Sequence, residues 1–271
     1  MTTLVLSRVA ASAAARGQRS TAVAWRNVTA ARHSAYWWVL VSGFVEPLLY
    51  LLSIGVGVGA LVGGFTLADG TRVSYAAYVA PAMIAASAMN GAVAETTMNF
   101  FGKMKYMRLY DSVIATPVAP FEIALGELLW ALLRGAMYSV AFLVIMTAAG
   151  LTTPLRALAT LPATVLVGLA FGGIGMVLGT LMRSWQDFDY IAVGQVAMFL
   201  FSGTFAPAEG YSLVPRIILE LTPLYHGVAL IRGLTTWSFD WSILGHVGYL
   251  VGVAWLGLSI AARRTGRMLC P

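Results

Sequence analysis

Long runs of apolar residues constrain this chain more than any other feature. Five of them are long enough to cross a hydrocarbon layer about 30 Å thick, which takes about 20 helical residues. A sixth run is shorter, and the six predicted spans are residues 36–65, 75–101, 121–149, 157–182, 190–206 and 242–262. The chain is 59% hydrophobic and 10% charged, whereas soluble domains are about 25% charged. The sequence therefore predicts an all-α polytopic membrane protein and excludes a soluble globule.

The segments before and after the spans are predicted to be cytoplasmic. Residues 1–20 are interpreted as a loose tail, because the apolar run before Arg8 is too short for a signal peptide. Residues 21–36 place Trp25 and Val28 on one side of a helix, which favours a helix lying in the membrane interface. A plain basic flank is the alternative for that stretch. Residues 263–271 form the second tail.

The distribution of Lys and Arg predicts the orientation in the membrane. Six spans place both termini on one side, together with twelve basic residues; the other side carries four. The twelve are Arg8, Arg16, Arg19, Arg26, Arg32, Lys103, Lys105, Arg108, Arg183, Arg263, Arg264 and Arg267, and the four are Arg72, Arg156, Arg216 and Arg232. Because cytoplasmic loops are rich in Lys and Arg, both termini are predicted in the cytoplasm. The same spread explains the net charge of +6 without a nucleic-acid partner.

Several kinds of active site find no support in the sequence. It contains no G-x-x-x-x-G-K-[ST] phosphate-binding loop, so we expect no ATP hydrolysis by that route. One cysteine, Cys270, and three isolated histidines suggest no metal site. The glycine pairs 168/172 and 175/179 lie within a span, and a spacing of four residues predicts close helix packing.

The loop between the second and third spans, residues 102–119, is the best candidate for contact with another protein. Its apolar residues recur every three to four positions, which predicts one short amphipathic helix ended by Pro117. They are Met104, Met107, Tyr110, Val113 and Ile114. An apolar stripe outside the membrane needs a partner, and we expect it to dock into a groove of another protein. A helix lying on lipid headgroups is the alternative.

Four charged residues fall within the predicted spans, where a charge needs a partner, water or protonation. They are Glu46, Glu95, Glu127 and Arg134. At 1.5 Å per residue, Glu46 and Arg134 reach similar depths near the midplane, so they are predicted to pair. Glu95 and Glu127 are predicted to form a lower acidic layer. These charges either fix the register of the helices or take part in substrate passage.

Residues 207–234 are apolar but interrupted by prolines and charges, including Pro207, Glu209, Pro215, Arg216 and Pro223. So broken a segment is unsuited to a single lipid-facing span. It predicts two short half-helices folded back into the outer leaflet. Within it, His226 and Arg232 either bond the carbonyls of the broken helices or contribute to transport.

Residues 200–234 resemble the C-terminal signature of the type-2 export permeases of ATP-binding-cassette transporters. The resemblance is strongest to the branch of nodulation lipo-oligosaccharide exporters and daunorubicin-type resistance permeases. The matching residues are Phe201, Ser202, Gly203, Phe205, Pro207, Pro223, Leu224, His226 and Arg232. Further support comes from Glu46, Pro47, Glu95, Thr116, Pro117, Gly126, Glu127 and Arg134. The resemblance covers roughly residues 25–264.

This resemblance implies a permease subunit of an exporter in a bacterial plasma membrane. Two permeases, identical or paralogous, would assemble with two ATPase subunits, which would bind the ATP and Mg²⁺. The loop 102–119 would serve as the coupling helix, and residues 207–234 as outer re-entrant helices. The substrate class would be amphipathic: a lipid-linked saccharide, a glycolipid or a hydrophobic drug.

Two other functions are weighed against an exporter. Broken helices and buried charges also suit a self-sufficient secondary transporter or channel. An intramembrane hydrolase would use Ser202 or Ser87 with His226, although no nucleophile turn is recognisable around either serine.

Overall fold

A computed structural model describes residues 2–34, 45, 48–49, 51–66, 72–206, 212–237 and 240–269 of the chain. The first helix, α1, runs without interruption from Thr2 to Ser34. The prediction of a loose tail over residues 1–20 is therefore wrong from residue 2 onward. The reason is compositional, because α1 contains no proline, one glycine (Gly17) and many alanines, which are the strongest helix formers.

A short hairpin precedes the first long helix of the bundle. A π-helical segment, Leu51–Val58, leads into α2 (Gly59–Val62), and the strands β1 (Gly64–Thr66) and β2 (Arg72–Ser74) pair antiparallel. Helix α3 (Tyr75–Ala94) begins where the Ser74 hydroxyl accepts a hydrogen bond from the Ala77 N–H. It continues through two π-helical stretches, Glu95–Asn99 and Gly102–Tyr106.

The other helices of the described residues follow in chain order. They are α4 (Leu109–Ile114), α5 (Pro120–Ala148), α6 (Pro154–Leu181), α7 (Asp187–Leu200), α8 (Leu213–Glu220), α9 (Pro223–Thr236) and α10 (Ser242–Leu269). Helices α5, α6 and α9 each have proline in their first turn, where its missing N–H costs no hydrogen bond. The all-α membrane architecture is confirmed, with the small hairpin as an addition.

Four helices in the described part of the chain are long and apolar enough to cross a membrane: Tyr75–Tyr106, Pro120–Ala148, Pro154–Leu181 and Ser242–Met268. In the predicted span 36–65, residues 36–44, 46–47 and 50 lie outside the described residues, and its last residues belong to strand β1 (Gly64–Thr66). The predicted span 190–206 corresponds to α7, which has 14 residues and ends at Leu200. The count of six spans therefore stays a prediction.

The interrupted segment near the C-terminus forms two short helices. Helices α8 and α9 meet at a bend of 81°, which suits a broken span or a re-entrant loop. Two half-helices were the predicted form of this segment. Their placement in the outer leaflet stays a prediction.

Helix α6 lies at the centre of the bundle, where it packs against α3, α5, α9 and α10. Its glycines permit this closeness. A Cβ atom added to Gly175 would lie 2.1 Å from the Thr96 hydroxyl oxygen, and one added to Gly172 would lie 2.5 Å from a Leu128 methyl carbon. The predicted role of these glycines in close packing is confirmed.

Candidate functional site

The predicted coupling loop is two helical pieces joined at a sharp break. The π-helical stretch Gly102–Tyr106 continues α3 and closes with a hydrogen bond from the Met107 N–H to the Gly102 carbonyl. Arg108 then adopts a left-handed conformation with φ of 46°, and α4 begins at Leu109. The prediction of one amphipathic helix is therefore wrong, since a left-handed residue ends the first helix and starts the second in a new direction.

This break separates the residues of the predicted apolar stripe. Tyr110 is only 1% exposed and packs with Phe100 and Ile123 inside the chain, with Met104, Val113, Ile114 and Val118 partly buried around them. Met107, by contrast, is 73% exposed. Most of the stripe is therefore covered by other residues of this chain, and Met107 is its exposed residue. Thr116 and Pro117, in the turn that follows, are exposed.

An exposed aromatic pair accompanies Met107. The ring of Tyr106 stacks on Trp185, with ring centroids 5.3 Å apart and planes 26° apart, and both side chains are exposed. Phe101 and Phe188 pack edge-on or tilted against Trp185 from the interior. The ammonium group of Lys105 donates to the Arg183 carbonyl at 2.6 Å. We call Tyr106, Met107 and Trp185 the docking surface.

The contribution of Trp185 was missed by sequence reasoning. Trp185 lies in the turn after α6 and Phe188 in the first turn of α7, where aromatic residues beside the end of a span usually indicate a membrane interface. The pairing of this turn with the coupling loop brings together residues about 80 positions apart. Its local backbone is fixed by Asp187, which accepts hydrogen bonds from the N–H groups of Arg183 and Ser184. These bonds hold the pKa of the Asp187 carboxyl below its usual value.

Glu127 lies in a buried ionic cluster behind the docking surface. Its two carboxylate oxygens contact Arg26 at 2.9 Å and Lys103 at 2.6 Å, and the Asn27 amide oxygen accepts from both cations. Burial, and then the charge of Glu127, raise the pKa of the Tyr110 hydroxyl well above its usual value. Glu127 is thus not part of an unpaired acidic layer with Glu95. Its partners come from α1 and from the end of α3, which are predicted to lie at the cytoplasmic boundary.

A second ion pair holds α1 to the start of α5. Arg19 contacts the buried carboxylate of Glu122 at 3.4 Å and donates to the Pro117 carbonyl at 2.6 Å. Between the two ion pairs, Gly126 packs directly against α1, since an added Cβ would lie 2.5 Å from that of Val23. The N-terminal helix is therefore bound from Arg19 to Arg26 to the segment that follows the coupling loop.

Arg134 pairs with Glu95 inside the bundle. Its guanidinium donates to one Glu95 oxygen and, through Nε, to the Tyr138 hydroxyl at 2.9 Å. The other Glu95 oxygen accepts from the Asn99 amide at 2.9 Å. Glu46, the predicted partner of Arg134, lies outside the described residues. Glu95 is therefore a partner of Arg134, and the lower acidic layer of Glu95 and Glu127 stays a prediction.

The C-terminal signature residues connect α3, α7, α9 and α10. Arg232 donates to the carbonyl of Gly203 at 3.0 Å, and its guanidinium lies 3.8 Å from the centre of the Tyr78 ring. Ser202 donates to the Met198 carbonyl and lies 3.5 Å from the Thr222 hydroxyl. Pro223 begins α9. Pro207 lies outside the described residues.

His226 contacts His246 of α10, with their Nδ1 atoms 2.7 Å apart, and it stacks on Tyr249. Among the described residues, no hydrogen bond joins His226 to Ser202. Among the residues described, no three His, Cys, Asp or Glu side chains are grouped to hold a metal ion. The site residues described above are therefore joined by ion pairs, by aromatic contacts and by side-chain hydrogen bonds to backbone carbonyls of neighbouring segments.

The sequence profile of the ABC-2 type transporter family matches residues 19–236, which is most of the chain. The chain belongs to this family. The matched region of this ABC-2 permease begins within α1, at the residue that pairs with Glu122, and ends with α9. It therefore contains both ionic clusters, the docking surface and Arg232.

Similar proteins include nodulation protein J from three rhizobial sources. The protein of Rhizobium leguminosarum bv. trifolii is 32% identical over 247 residues, covering 89% of this chain and 90% of the relative. That of bv. viciae is 31% identical over 227 residues, covering 83% and 86%. That of Rhizobium meliloti (strain 1021) is 30% identical over 231 residues, covering 85% and 82%. The resemblance seen in the sequence is confirmed, and the chain is an integral membrane permease.

Proposed function

We propose that this ABC-2 permease is the membrane subunit of an ATP-driven exporter in a bacterial plasma membrane. Two permeases, identical or paralogous, would assemble with two ATPase subunits that bind ATP and Mg²⁺. Both termini would lie in the cytoplasm, as the distribution of basic residues favours. The observation that carries the proposal is the exposed docking surface of Tyr106, Met107 and Trp185, which lies at the predicted cytoplasmic end of the bundle.

The position of the docking surface suits the transmission of a movement. Tyr106 ends the π-helical continuation of α3, and Trp185 lies just before α7, so their stacked rings join the ends of the two helices. The same helices are joined again farther from the docking surface, where the Gln195 amide donates to the Asn90 oxygen at 2.9 Å. A displacement of the docking surface by an ATPase would therefore move α3 and α7 together.

Helix α7 offers the surface that a second permease or a substrate could meet. Ile191, Met198 and Phe199 pack against the core, whereas the opposite side is exposed and apolar, with Tyr190, Val193, Val196 and Leu200. Beside it, Asn90 and Gln195 place uncharged hydrogen-bonding groups at mid-height on the bundle. This combination suits an amphipathic cargo, and a lipid-linked saccharide, a glycolipid or a hydrophobic drug is the proposed class.

The docking surface can be tested by a single charge. We expect Met107→Asp to weaken the complex with a cognate ATP-binding-cassette ATPase by about thirtyfold, because a carboxylate replaces an apolar contact at the centre of the interface. Met268→Asp is the matched control, since Met268 is also exposed and belongs to the predicted cytoplasmic end of α10. Co-purification in detergent and binding of the purified ATPase measure the effect.

Transport separates an exporter from the alternative. Proteoliposomes that hold permease and ATPase should move the cargo only with ATP, and an ATPase lacking its phosphate-binding lysine should abolish transport. Equal ATPase binding by the Met107→Asp and Met268→Asp variants would remove the docking surface from the mechanism. Transport by the permease alone, driven by an ion gradient, would replace the exporter with a secondary transporter.

A further inference from the structure

Two cavities adjoin the start of α5 and share one wall. The first has a volume of about 480 Å³ and is lined by Arg16, Arg19, Ala119, Phe121 and Glu122. The second is a crevice of about 430 Å³ between α5, α6 and α10, and Phe121 lines it as well. Its other lining residues include Leu125, Met176, Trp255, Leu258 and Arg263. A basic cavity thus adjoins an apolar one.

The basic cavity has positive charge that the chain does not neutralise. Arg19 is engaged by Glu122 and by the Pro117 carbonyl. In the part of the chain that the structure describes, the guanidinium groups of Arg16 and Arg263 make no hydrogen bond or ion pair with protein. A guanidinium offers several N–H donors in a planar fork that matches the oxygens of a phosphate. The uncompensated charges therefore suit an anion, and a phosphate best.

The crevice has the dimensions of part of an acyl chain. From Trp255 to Arg263 it follows α10 for eight residues, which is about 12 Å at 1.5 Å per residue. One leaflet of the bilayer has about half of the 30 Å hydrocarbon thickness. Its polar end, at Arg263, lies near the end of α10 that is predicted to be cytoplasmic. The apolar part then extends into the cytoplasmic leaflet.

We propose that the two cavities together bind an anionic phospholipid of the cytoplasmic leaflet. Its phosphate is held by Arg16 and Arg263 on either side of the Phe121 wall, and one acyl chain lies in the crevice along Leu258 and Trp255. The lipid connects α1, α5 and α10, and it does so independently of any ATPase or cargo. Charge complementarity selects an anionic lipid over a zwitterionic one, because the lining adds no further acidic group beyond Glu122.

Quenching of Trp255 fluorescence tests the site directly. The full chain is reconstituted into vesicles that contain increasing fractions of brominated phosphatidylglycerol or brominated phosphatidylcholine. The signal of Trp255 is obtained by difference from the Trp255→Phe variant. We expect phosphatidylglycerol to be preferred at least tenfold. Arg16→Gln and Arg263→Gln should each lower that preference about tenfold, the factor that corresponds to the loss of one charge-assisted hydrogen bond to the phosphate.

Matched variants distinguish specific lipid binding in the two cavities from general attraction of anionic lipids to surface charge. Arg267→Gln removes the same charge from the same helix as Arg263 but outside both cavities, so it should leave the preference unchanged. Trp241, at the other end of α10 and 84% exposed, should show no lipid preference when isolated through Trp241→Phe. Retained quenching by phosphatidylcholine shows that each variant is folded in the bilayer.

Three results would overturn the proposal. The first is equal quenching of Trp255 by the two lipids. The second is an Arg267→Gln effect as large as that of Arg263→Gln, which would assign the preference to surface charge. The third is loss of the preference in millimolar inorganic phosphate, which would make a free anion, and not a lipid, the ligand of the arginines.

Discussion

At the scale of single residues, the buried acids in the described part of this permease each contact a cation on another helix. Glu95 meets Arg134 across α3 and α5, and Glu127 is shared by Arg26 and Lys103. A lone charge in a low-dielectric interior is costly, and an ion pair with additional hydrogen bonds offsets much of that cost. The Asn99 and Tyr138 contacts supply those additional bonds around the first pair.

The Glu95 and Arg134 pair should behave as one unit under mutation. Glu95→Gln alone leaves a buried guanidinium without its counter-charge, at a cost near the low end of about 3–5 kcal/mol, since Arg134 remains 28% exposed. Glu95→Gln combined with Arg134→Met removes both charges and should recover most of that loss. Thermal unfolding in detergent of Glu95→Gln, Arg134→Met and the double variant, in parallel, measures the coupling.

The outcome also separates a structural from a substrate-handling role. Recovery of stability and transport in the double variant indicates a pair that only fixes the helices. Recovery of stability without transport assigns a role to the charges themselves. Losses that simply add in the double variant would mean that the two side chains do not interact.

The sequence could establish that these charges need partners but not which partners they have. Depth counted along the helices predicted Glu46 for Arg134, whereas the Arg134 guanidinium contacts Glu95. The sequence places the cation Arg19 in a loose tail and Arg26 in a helix at the membrane interface. They recur at seven residues on one face of α1, and only the packing of Gly126 against Val23 reveals that this face meets α5.

At the scale of helices, glycines decide how closely the central elements approach. A contact between the backbones themselves joins α6 and α10, where a Cβ added to Gly257 would lie 2.7 Å from the backbone carbon of Gly173. Backbone atoms of two helices cannot move aside as a flexible side chain can. The contact therefore depends on the absence of a side chain at both positions.

A pair of glycines on α10 provides a controlled test of that contact. Gly257→Ala should destabilise the permease by about 1–3 kcal/mol through overpacking. Gly252→Ala adds the same methyl group five residues away, where no atom lies within 4 Å, and should be neutral or slightly stabilising. Thermal unfolding of both variants checks this. Equal destabilisation would point to helix propensity or lipid contact in place of the α6 interface.

The glycine spacing predicted the close packing of the helices. The apolar periodicity did not predict the course of the coupling loop. Periodicity placed Met107 and Tyr110 on one face because it assumed a continuous helix. Arg108 adopts a left-handed conformation, which sequence reasoning expects of glycine or asparagine and not of arginine. The burial of Tyr110 then depends on Phe100 and Ile123, which lie on two different helices.

At the scale of the whole molecule, the sequence predicted the fold class and the family correctly. The long apolar segments and the uneven distribution of Lys and Arg extend over the whole chain, so they do not depend on any single contact. The short α7 was overestimated as a span. Its apolar run continues to residue 206 although the helix ends at Leu200. Gly203, with a positive φ, and the Arg232 contact fix the chain there in a non-helical course.

The orientation of the permease can be measured with single cysteines after Cys270→Ser removes the native thiol. Leu213→Cys, at the exposed start of α8, should react with an impermeant maleimide in intact cells. Tyr106→Cys, on the docking surface, should react only after permeabilisation. The reverse pattern would invert the topology and place the docking surface outside the cell.

The π-helical stretches of α3 have a consequence for comparing this permease with its relatives. Each such turn accommodates one residue more than an α-helical turn, as if a residue had been inserted without lengthening the span. Losing one residue from the first stretch, Glu95–Asn99, would therefore restore a regular α-helical turn and leave the residues beyond it in register. Lys103 would still meet Glu127, and Tyr106 would still meet Trp185. A one-residue gap at positions 95–99 in an aligned relative is thus compatible with the same cytoplasmic surface, whereas a gap within the regular part of α3 would turn that surface by about 100°.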